Sequence, residues 1–214
     1  LPKSLEEYYQ EAGRAGRDGK NSQCTIMHRF EDRNQLIQLI SKSSSEEHLE
    51  YQMISLNKVV SYCMSHLCRR KIIMEYFDDQ TETNCNGSCD NCLKTPPIIK
   101  DYTRETINLC HCLQEMISVN AKINIKQIAL AFKGSKSKRD IESKGFHVIP
   151  HYGSGRNIFG NDADAIKFVQ QLILHDVLAE NIRAVNDRFT TPYITLGKGK
   201  QKVMNREISM FLMI

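Results

Sequence analysis

The sequence predicts a mixed α/β protein of more than one domain, and three observations carry that prediction. Apolar residues recur every three or four positions in two tracts, residues 31–77 and 103–174, as helices with one buried face require. Between them the prolines of "KTPPIIKDY" exclude a helix interior and favour an extended linker, which puts a domain break near residue 100. Near the end, "VLAENIRAV" and "RFTTPYITLG" flank the turn pair Asn186-Asp187, a hairpin pattern. Composition agrees: with 41% hydrophobic and 25% charged residues, a chain of 214 residues is globular and can bury one or two small cores. A net charge of +4 permits a nucleic-acid partner only where cations cluster locally. No run of about 18 apolar residues occurs, so no membrane-spanning helix is predicted. The opening Leu1-Pro2, without an initiator methionine or an apolar leader, reads as part of something longer.

The elements follow in order. Ser4 and Glu7 have capping-box spacing, so a helix runs from about Leu5 towards Ala12, where Gly13 and Gly16 weaken it. Asp18-Gly19 signals a turn, and "SQCTIMHRF" alternates with Cys24, Ile26, His28 and Phe30 on one side, a strand pattern. From Glu31 the pattern is helical through Leu36, Ile37, Leu39 and Ile40 up to the polar "SKSSSEEH". A second helix places Met53, Leu56, Val59, Val60, Cys63 and Leu67 on one face, and "CRRKIIMEYF" continues it or begins another. Beyond the linker, Thr103 can cap a helix carrying Ile107, Cys110, Leu113 and Ile117, and "IKQIALAF" forms the next. After the loop "KGSKSKRDIESKG", Asn161 or Asp162 caps a third helix through Ile166, Val169, Leu172 and Ile173. Helices followed by a β-hairpin suggest a winged helix-turn-helix, and Pro192 confines its strand to an edge, as a protruding wing tolerates.

Three stretches carry chemistry. In "YYQEAGRAGRDG", Arg14 and Arg17 each follow a glycine, between a capped helix and a strand pattern. A Gly/Arg-rich disordered tail lacks such flanks, which weakens that reading beside the alternative of a site built to grip a phosphate. The cysteines Cys68, Cys85, Cys89 and Cys92 follow C-x16-C-x3-C-x2-C, and four thiolates suit tetrahedral zinc. Cys63 and His66 are rival donors for the distant position, although Cys63 also fits the helical core face, as does Cys110. A Cys89/Cys92 redox pair is the alternative, and it lacks the βαβ setting such pairs accompany. In the loop after "IALAF", Lys133, Lys136, Lys138, Arg139 and Lys144 outnumber Asp140 and Glu142, with Ser135 and Ser137 as hydroxyl donors. A surface of this kind grips phosphates, and a merely solvated loop is the alternative.

These residues resemble a known family. Gln10 to Gly19, "QEAGRAGRDG", resembles the last helicase motif of superfamily 2 in the form found in RecQ DNA helicases, and "LPKSLEEYY" is similar to its approach in the Bloom syndrome helicase group. "CRR", a hydrophobic helix ending "YF" and then "SCDNC" are similar to the RecQ zinc-binding subdomain. The terminal half, with "FKGSKS" and "LILHDVL", resembles the RecQ C-terminal winged-helix domain. The resemblance implies three regions: residues 1–30 as the end of a second RecA-like α/β lobe, 31–99 as a helical zinc-binding subdomain, and 100–214 as the winged-helix domain.

It also implies roles. Arg17 takes the place of the arginine finger that stabilises charge on the transferring phosphoryl group, and Gln10 and Arg14 match the accompanying nucleotide-side positions. The hairpin resembles the strand-separation wing, with Arg183, Asn186, Asp187, Arg188 and Phe189 around its tip. The implied function is the C-terminal part of an ATP-dependent 3′-to-5′ DNA helicase of the nucleus, acting on duplex, forked or branched DNA in replication, recombination and repair. Structural zinc, and ATP with Mg²⁺ in the full-length enzyme, are its implied cofactors. The chain holds no G-x-x-x-x-G-K-[ST] loop and no acidic metal box, so alone it is expected not to hydrolyse ATP. A non-catalytic zinc and winged-helix DNA-binding protein is the alternative, with a redox protein a distant third.

Overall fold

The computed structural model describes residues 1–43, 46–79, 85–95, 98–185 and 189–214. It divides into two compact units, Leu1–Pro97 and Ile98–Ile214, and has the mixed helix and small-sheet character that the sequence predicts.

The first unit contains four α-helices among its described residues: α1 (Leu5–Ala12), α2 (Arg33–Ser43), α3 (Glu46–Met64) and α4 (Arg69–Tyr76). Ser4 caps α1 by accepting the Glu7 N–H at 3.2 Å. The return half of the capping box is diverted, because the Glu7 carboxylate accepts the Lys3 N–H at 2.6 Å. Leu5, Val59 and Tyr62 form a buried cluster, with Tyr8, Ile26, Ile72, Ile73 and Tyr76 packed around it. Burial of such side chains, at about 25 cal/mol per Å² of apolar area, is what holds α1 to α3 and α4.

Two expectations fail in this unit. Residues 21–29 form no strand, so the α/β character expected of residues 1–30 reduces to the helix α1. A strand is stabilised by a ladder partner, and among the described residues nothing pairs with this segment. Only part of the alternation is used: Ile26 joins the core and Phe30 is buried, while Cys24 is exposed. Leu67 also leaves the face predicted for it. Helix α3 ends at Met64, and Leu67 lies beyond it, 51% exposed. The Asn91 side chain takes the carbonyls of Ser65 and Leu67, at 2.8 and 2.7 Å, and turns the chain towards the cysteine loop.

The second unit runs β1 (Lys100–Asp101), α5 (Thr103–Val119), α6 (Ile125–Lys133), α7 (Asp162–Leu174), β2 (Leu178–Val185), β3 (Phe189–Leu196), α8 (Lys200–Met204) and β4 (Phe211–Leu212). Tyr102, not Thr103, occupies the N-cap of α5. Thr103 instead staples the ends of the unit together, donating to Asp101 Oδ1 at 2.5 Å and accepting the Met210 N–H at 2.8 Å, beside the β1–β4 pair. Asn124 and Gln127 form a reciprocal capping box on α6, and Asn161 caps α7 through the Asp164 N–H at 2.9 Å.

Phe132 of α6, Phe168 of α7 and Phe159 meet as an aromatic cluster, and Leu109, Leu113 and Met116 of α5 are fully buried in the same unit. Strands β2 and β3 pair antiparallel from Leu178↔Leu196 to Val185↔Phe189. The Ile194 N–H reaches the Ile123 carbonyl at 2.7 Å, tying the hairpin to the segment before α6. At the hairpin base, a Cβ on Gly197 would lie 2.2 Å from the Asp176 carbonyl oxygen, so only glycine lets the strand exit there.

Candidate metal centre and nucleic-acid interface

Cys68 stands at the N-cap of α4, and Cys85, Cys89 and Cys92 lie in the loop that returns to it. Asn86 and Gly87 both adopt left-handed backbone, at φ 48° and 74°, and bend the chain so that the Ser88 N–H reaches the Cys85 carbonyl at 3.0 Å. The four Sγ atoms all lie within 4.8 Å of one another. A tetrahedral zinc about 2.3 Å from each sulfur separates its ligands by about 3.8 Å, so a small contraction suffices to close the cluster on a metal. Cys63 does not enter the cluster. It lies half-buried against the core of α3, where burial pushes its thiol up to about 11.

The electrostatics of the cluster suit a cation. The Cys89 backbone N–H holds the Cys85 thiol down to about 6, while hydrogen bonds to Cys85 and Cys89 push Cys92 up to about 12. Cys89 Sγ accepts the amides of Arg69 and Cys92, at 3.5 and 3.4 Å, and these offset its burial so that its thiol is lowered. Four adjacent thiols cannot all ionise unaided. A divalent ion removes that conflict.

Arg69 was not nominated from the sequence, yet it organises the loop. Its guanidinium clamps Asp90, donates to Asn91 Oδ1 at 3.3 Å and to the Tyr62 carbonyl, and lies 5.1 Å from the Tyr62 ring. The first arginine of "CRR" and the aspartate inside "SCDNC" carried the signal; their pairing is a tertiary fact.

The arginine loop is displayed from an anchored helix. Tyr76 OH donates to Glu6 Oε1 at 2.6 Å, the hydroxyls of Tyr8 and Tyr62 lie 3.4 Å apart, and the rings of Tyr9 and Phe77 are 5.0 Å apart. Gln10, Arg14 and Arg17 are exposed, and neither guanidinium meets a carboxylate among the described residues. Gly16 is required here: it sits at φ 69°, and a Cβ would meet Ser22 Oγ at 2.9 Å and the Lys20 carbonyl at 3.0 Å.

In the second unit the predicted cations divide. Lys133 is engaged by Asp162 at 2.7 Å, and Asp140 takes Lys126 at 2.9 Å. Ser137 spends its hydroxyl on the amide and carboxylate of Asp140, and Ser135 offers its carbonyl to Tyr152 OH at 2.8 Å. Lys136, Lys138 and Arg139 stand exposed and unpaired among the described residues, while Lys144 is half-buried. Of the predicted hairpin tip, Arg183 lies on β2 and Phe189 on β3. Asn186, Asp187 and Arg188 lie outside the described residues.

Four clustered thiols placed as a metal ion would need them, on a helical unit joined in one chain to a unit of helices and a β-hairpin, define a modular protein. The chain belongs to the RecQ family. Residues 30–93 match the RecQ zinc-binding family model, and residues 96–213, more than half of the chain, match the RQC domain model. It is 33% identical over 213 residues to the ATP-dependent DNA helicase RecQ of Bacillus subtilis, covering 98% of this chain and 33% of that protein. It is 31% identical over 209 residues to the ATP-dependent DNA helicase hus2/rqh1 of Schizosaccharomyces pombe, covering 96% and 15%. With the ATP-dependent helicase SGS1 of Saccharomyces cerevisiae it shares 29% identity over 220 residues, covering 98% and 15%. The chain thus spans a third or less of the length of these relatives.

Proposed function

We propose that this chain is the zinc-binding and winged-helix part of an ATP-dependent 3′-to-5′ DNA helicase, acting in the nucleus on duplex, forked or branched DNA during replication, recombination and repair. The observation that carries the proposal is that the loop after α1 displays two exposed arginines that no carboxylate among the described residues engages. An unengaged guanidinium is available to a ligand from outside the unit. In the full-length protein Arg17 meets the phosphoryl group in transfer, and Gln10 and Arg14 hold the nucleotide beside it. ATP and Mg²⁺ belong to that full-length context.

Cys68, Cys85, Cys89 and Cys92 hold one structural zinc, whose binding free energy adds to the folding of the loop. The reading of the second unit as a winged helix is supported by the order α5, α6, α7 and hairpin, and by the Ile123–Ile194 bond. Its exposed Lys136, Lys138 and Arg139 grip the DNA backbone. The hairpin, with Arg183 and Phe189 flanking the segment Asn186 to Arg188, wedges the duplex apart.

Duplex binding by the isolated chain tests this account. Affinity should fall steeply with salt and no ATP should be turned over, since the chain lacks a phosphate loop. Salt-independent binding, or robust hydrolysis by this chain, would contradict it. A non-catalytic DNA-binding protein with the same modules is separated by the gene upstream of Leu1, which in the helicase encodes a phosphate-loop lysine and an acidic metal box.

A further inference from the structure

The loop between the short 3-10 turns Glu142–Lys144 and Phe146–Val148 and helix α7 contains a cation, Arg156, set beside the basic loop that follows α6. Residues 152–156 are stapled to the C-terminal end of α6: the Gly153 N–H donates to the Ala131 carbonyl at 2.9 Å, the Gly155 N–H to the Phe132 carbonyl at 2.8 Å, and Tyr152 OH to the Ser135 carbonyl at 2.8 Å. The Gly155 bond occupies a carbonyl that the helix end leaves without a partner, and the Gly153 bond shares the Ala131 carbonyl with the Gly134 N–H at 3.1 Å. They demand close backbone approach. A Cβ on Gly155 would lie 2.5 Å from the Phe132 ring, and one on Gly134, at φ 78°, would lie 2.9 Å from the Gly153 Cα. Glycine at these positions is what lets the two segments touch.

Arg156 lies over this junction. Its Nε and Nη2 are 3.1 and 3.2 Å from where a Gly134 Cβ would be, so the guanidinium packs on the paired glycines where any side chain would displace it. The residue is exposed, and among the described residues its guanidinium makes no hydrogen bond or ion pair. Gly134 leads directly into Ser135–Arg139, where Lys136, Lys138 and Arg139 are also exposed and, among the described residues, unpaired. The amides of Lys136, Lys138 and Arg139 likewise have no acceptor among the described residues. Meanwhile Lys133 and Lys126 are each held by a carboxylate within 3 Å. The fold thus withdraws two cations from this edge and brings in one from about twenty residues downstream.

We propose that Arg156 is a phosphate-binding residue, and that with Lys136, Lys138 and Arg139 it forms one backbone-gripping surface for DNA. This rests on the DNA-binding reading above and deepens it. An exposed guanidinium that no group among the described residues engages can take a phosphate through two hydrogen bonds. It carries no base code, so the contact positions the duplex without reading sequence.

The test is the salt dependence of duplex DNA binding by the full chain, comparing the parent with Arg156→Gln and Lys138→Gln. Removing one phosphate contact should make the slope of log K against log salt shallower by about 0.9 and weaken binding roughly three- to tenfold at moderate salt, equally on unrelated sequences. An unchanged slope for Arg156→Gln beside a shallower one for Lys138→Gln would overturn the assignment of Arg156 and leave the lysine surface standing. Unchanged slopes in both variants would overturn the DNA-binding surface itself. If thermal melting shows that Arg156→Gln folds poorly, Arg156→Met, which keeps the apolar stem, replaces it: a shallower slope in a variant that melts like the parent supports the assignment, and the parental slope overturns it.

Discussion

Arg69 grips Asp90 through two arms of its guanidinium, with Nε 2.9 Å from Oδ1 and Nη2 3.1 Å from Oδ2. One residue of the pair adjoins Cys68 and the other adjoins Cys89, so the clamp joins the two segments that supply the cysteines. The same arginine donates to the Tyr62 carbonyl in α3, and it holds Asp90 below the usual carboxylate range. An Arg–carboxylate fork fixes orientation as well as distance. The placement of the cysteines is therefore set in part by a neighbour that is not one of them.

From this clamp we expect Asp90→Asn to weaken zinc binding by roughly tenfold or more without removing a ligand. Competition with a chromogenic chelator measures it. An Arg69→Lys variant should fare little better, because an ammonium cannot span both carboxylate oxygens.

The cysteine cluster itself should bind one zinc per chain, measurable by elemental analysis of the purified protein. Cys89→Ser should lower the stoichiometry or abolish cooperative unfolding of the first unit, as expected where metal binding contributes to folding. A well-folded, metal-free parent would contradict the assignment.

The Tyr76–Glu6 bond predicts a pH window. Tyr76 lowers the Glu6 carboxyl below its ordinary 4.5, so that contribution is full above the ordinary value and is lost as pH falls through the lower folded value. Burial, aided by Glu6, pushes Tyr76 up from 10 to about 12, so its contribution is full below 10 and is lost as pH rises through about 12. Tyr76→Phe should therefore cost about 1 kcal/mol between pH 5 and pH 9, and less outside that window. Urea midpoints across pH decide it, and a constant difference at all pH values would exclude the bond.

How much of this was legible in the sequence depended on the range of the interaction. Ser4, Asn161 and the cysteine spacing act within a few residues, or through an unusual residue type, and they read correctly as helix starts and a thiol cluster. The strand expected over residues 22–30 failed because alternation describes one face, whereas a strand also needs a partner that the local pattern does not encode. Lys133 read as a free phosphate ligand because Asp162, which engages it, lies 29 positions away. Arg156 escaped notice for the converse reason: the glycines that place it beside the basic loop look, in sequence, like ordinary loop residues. At Leu67 the helical period was right, but the hydrogen bonds of Asn91 to this stretch prevailed.

The hairpin should fail separately from the arginine loop. In the full-length protein, replacing residues 183–189 by a short Gly/Ser turn should preserve the zinc site and DNA-stimulated ATP hydrolysis, since the helices of the second unit keep their buried faces. Unwinding should fall steeply, because a flexible turn cannot hold open a base step that costs a few kcal/mol. The ratio of base pairs opened to ATP consumed on a forked duplex is the readout, and an unchanged ratio would reduce the hairpin to a structural wing.

The most direct test of the central claim is Arg17→Ala in the full-length protein, with ATP turnover and nucleotide affinity measured on the same preparation. The account predicts that ATP and DNA still bind nearly as in the parent while turnover falls by roughly 10³-fold or more, as loss of a guanidinium acting on the transition state requires. Turnover close to the parent's, with DNA binding weakened instead, would contradict it and make the arginine loop a nucleic-acid contact.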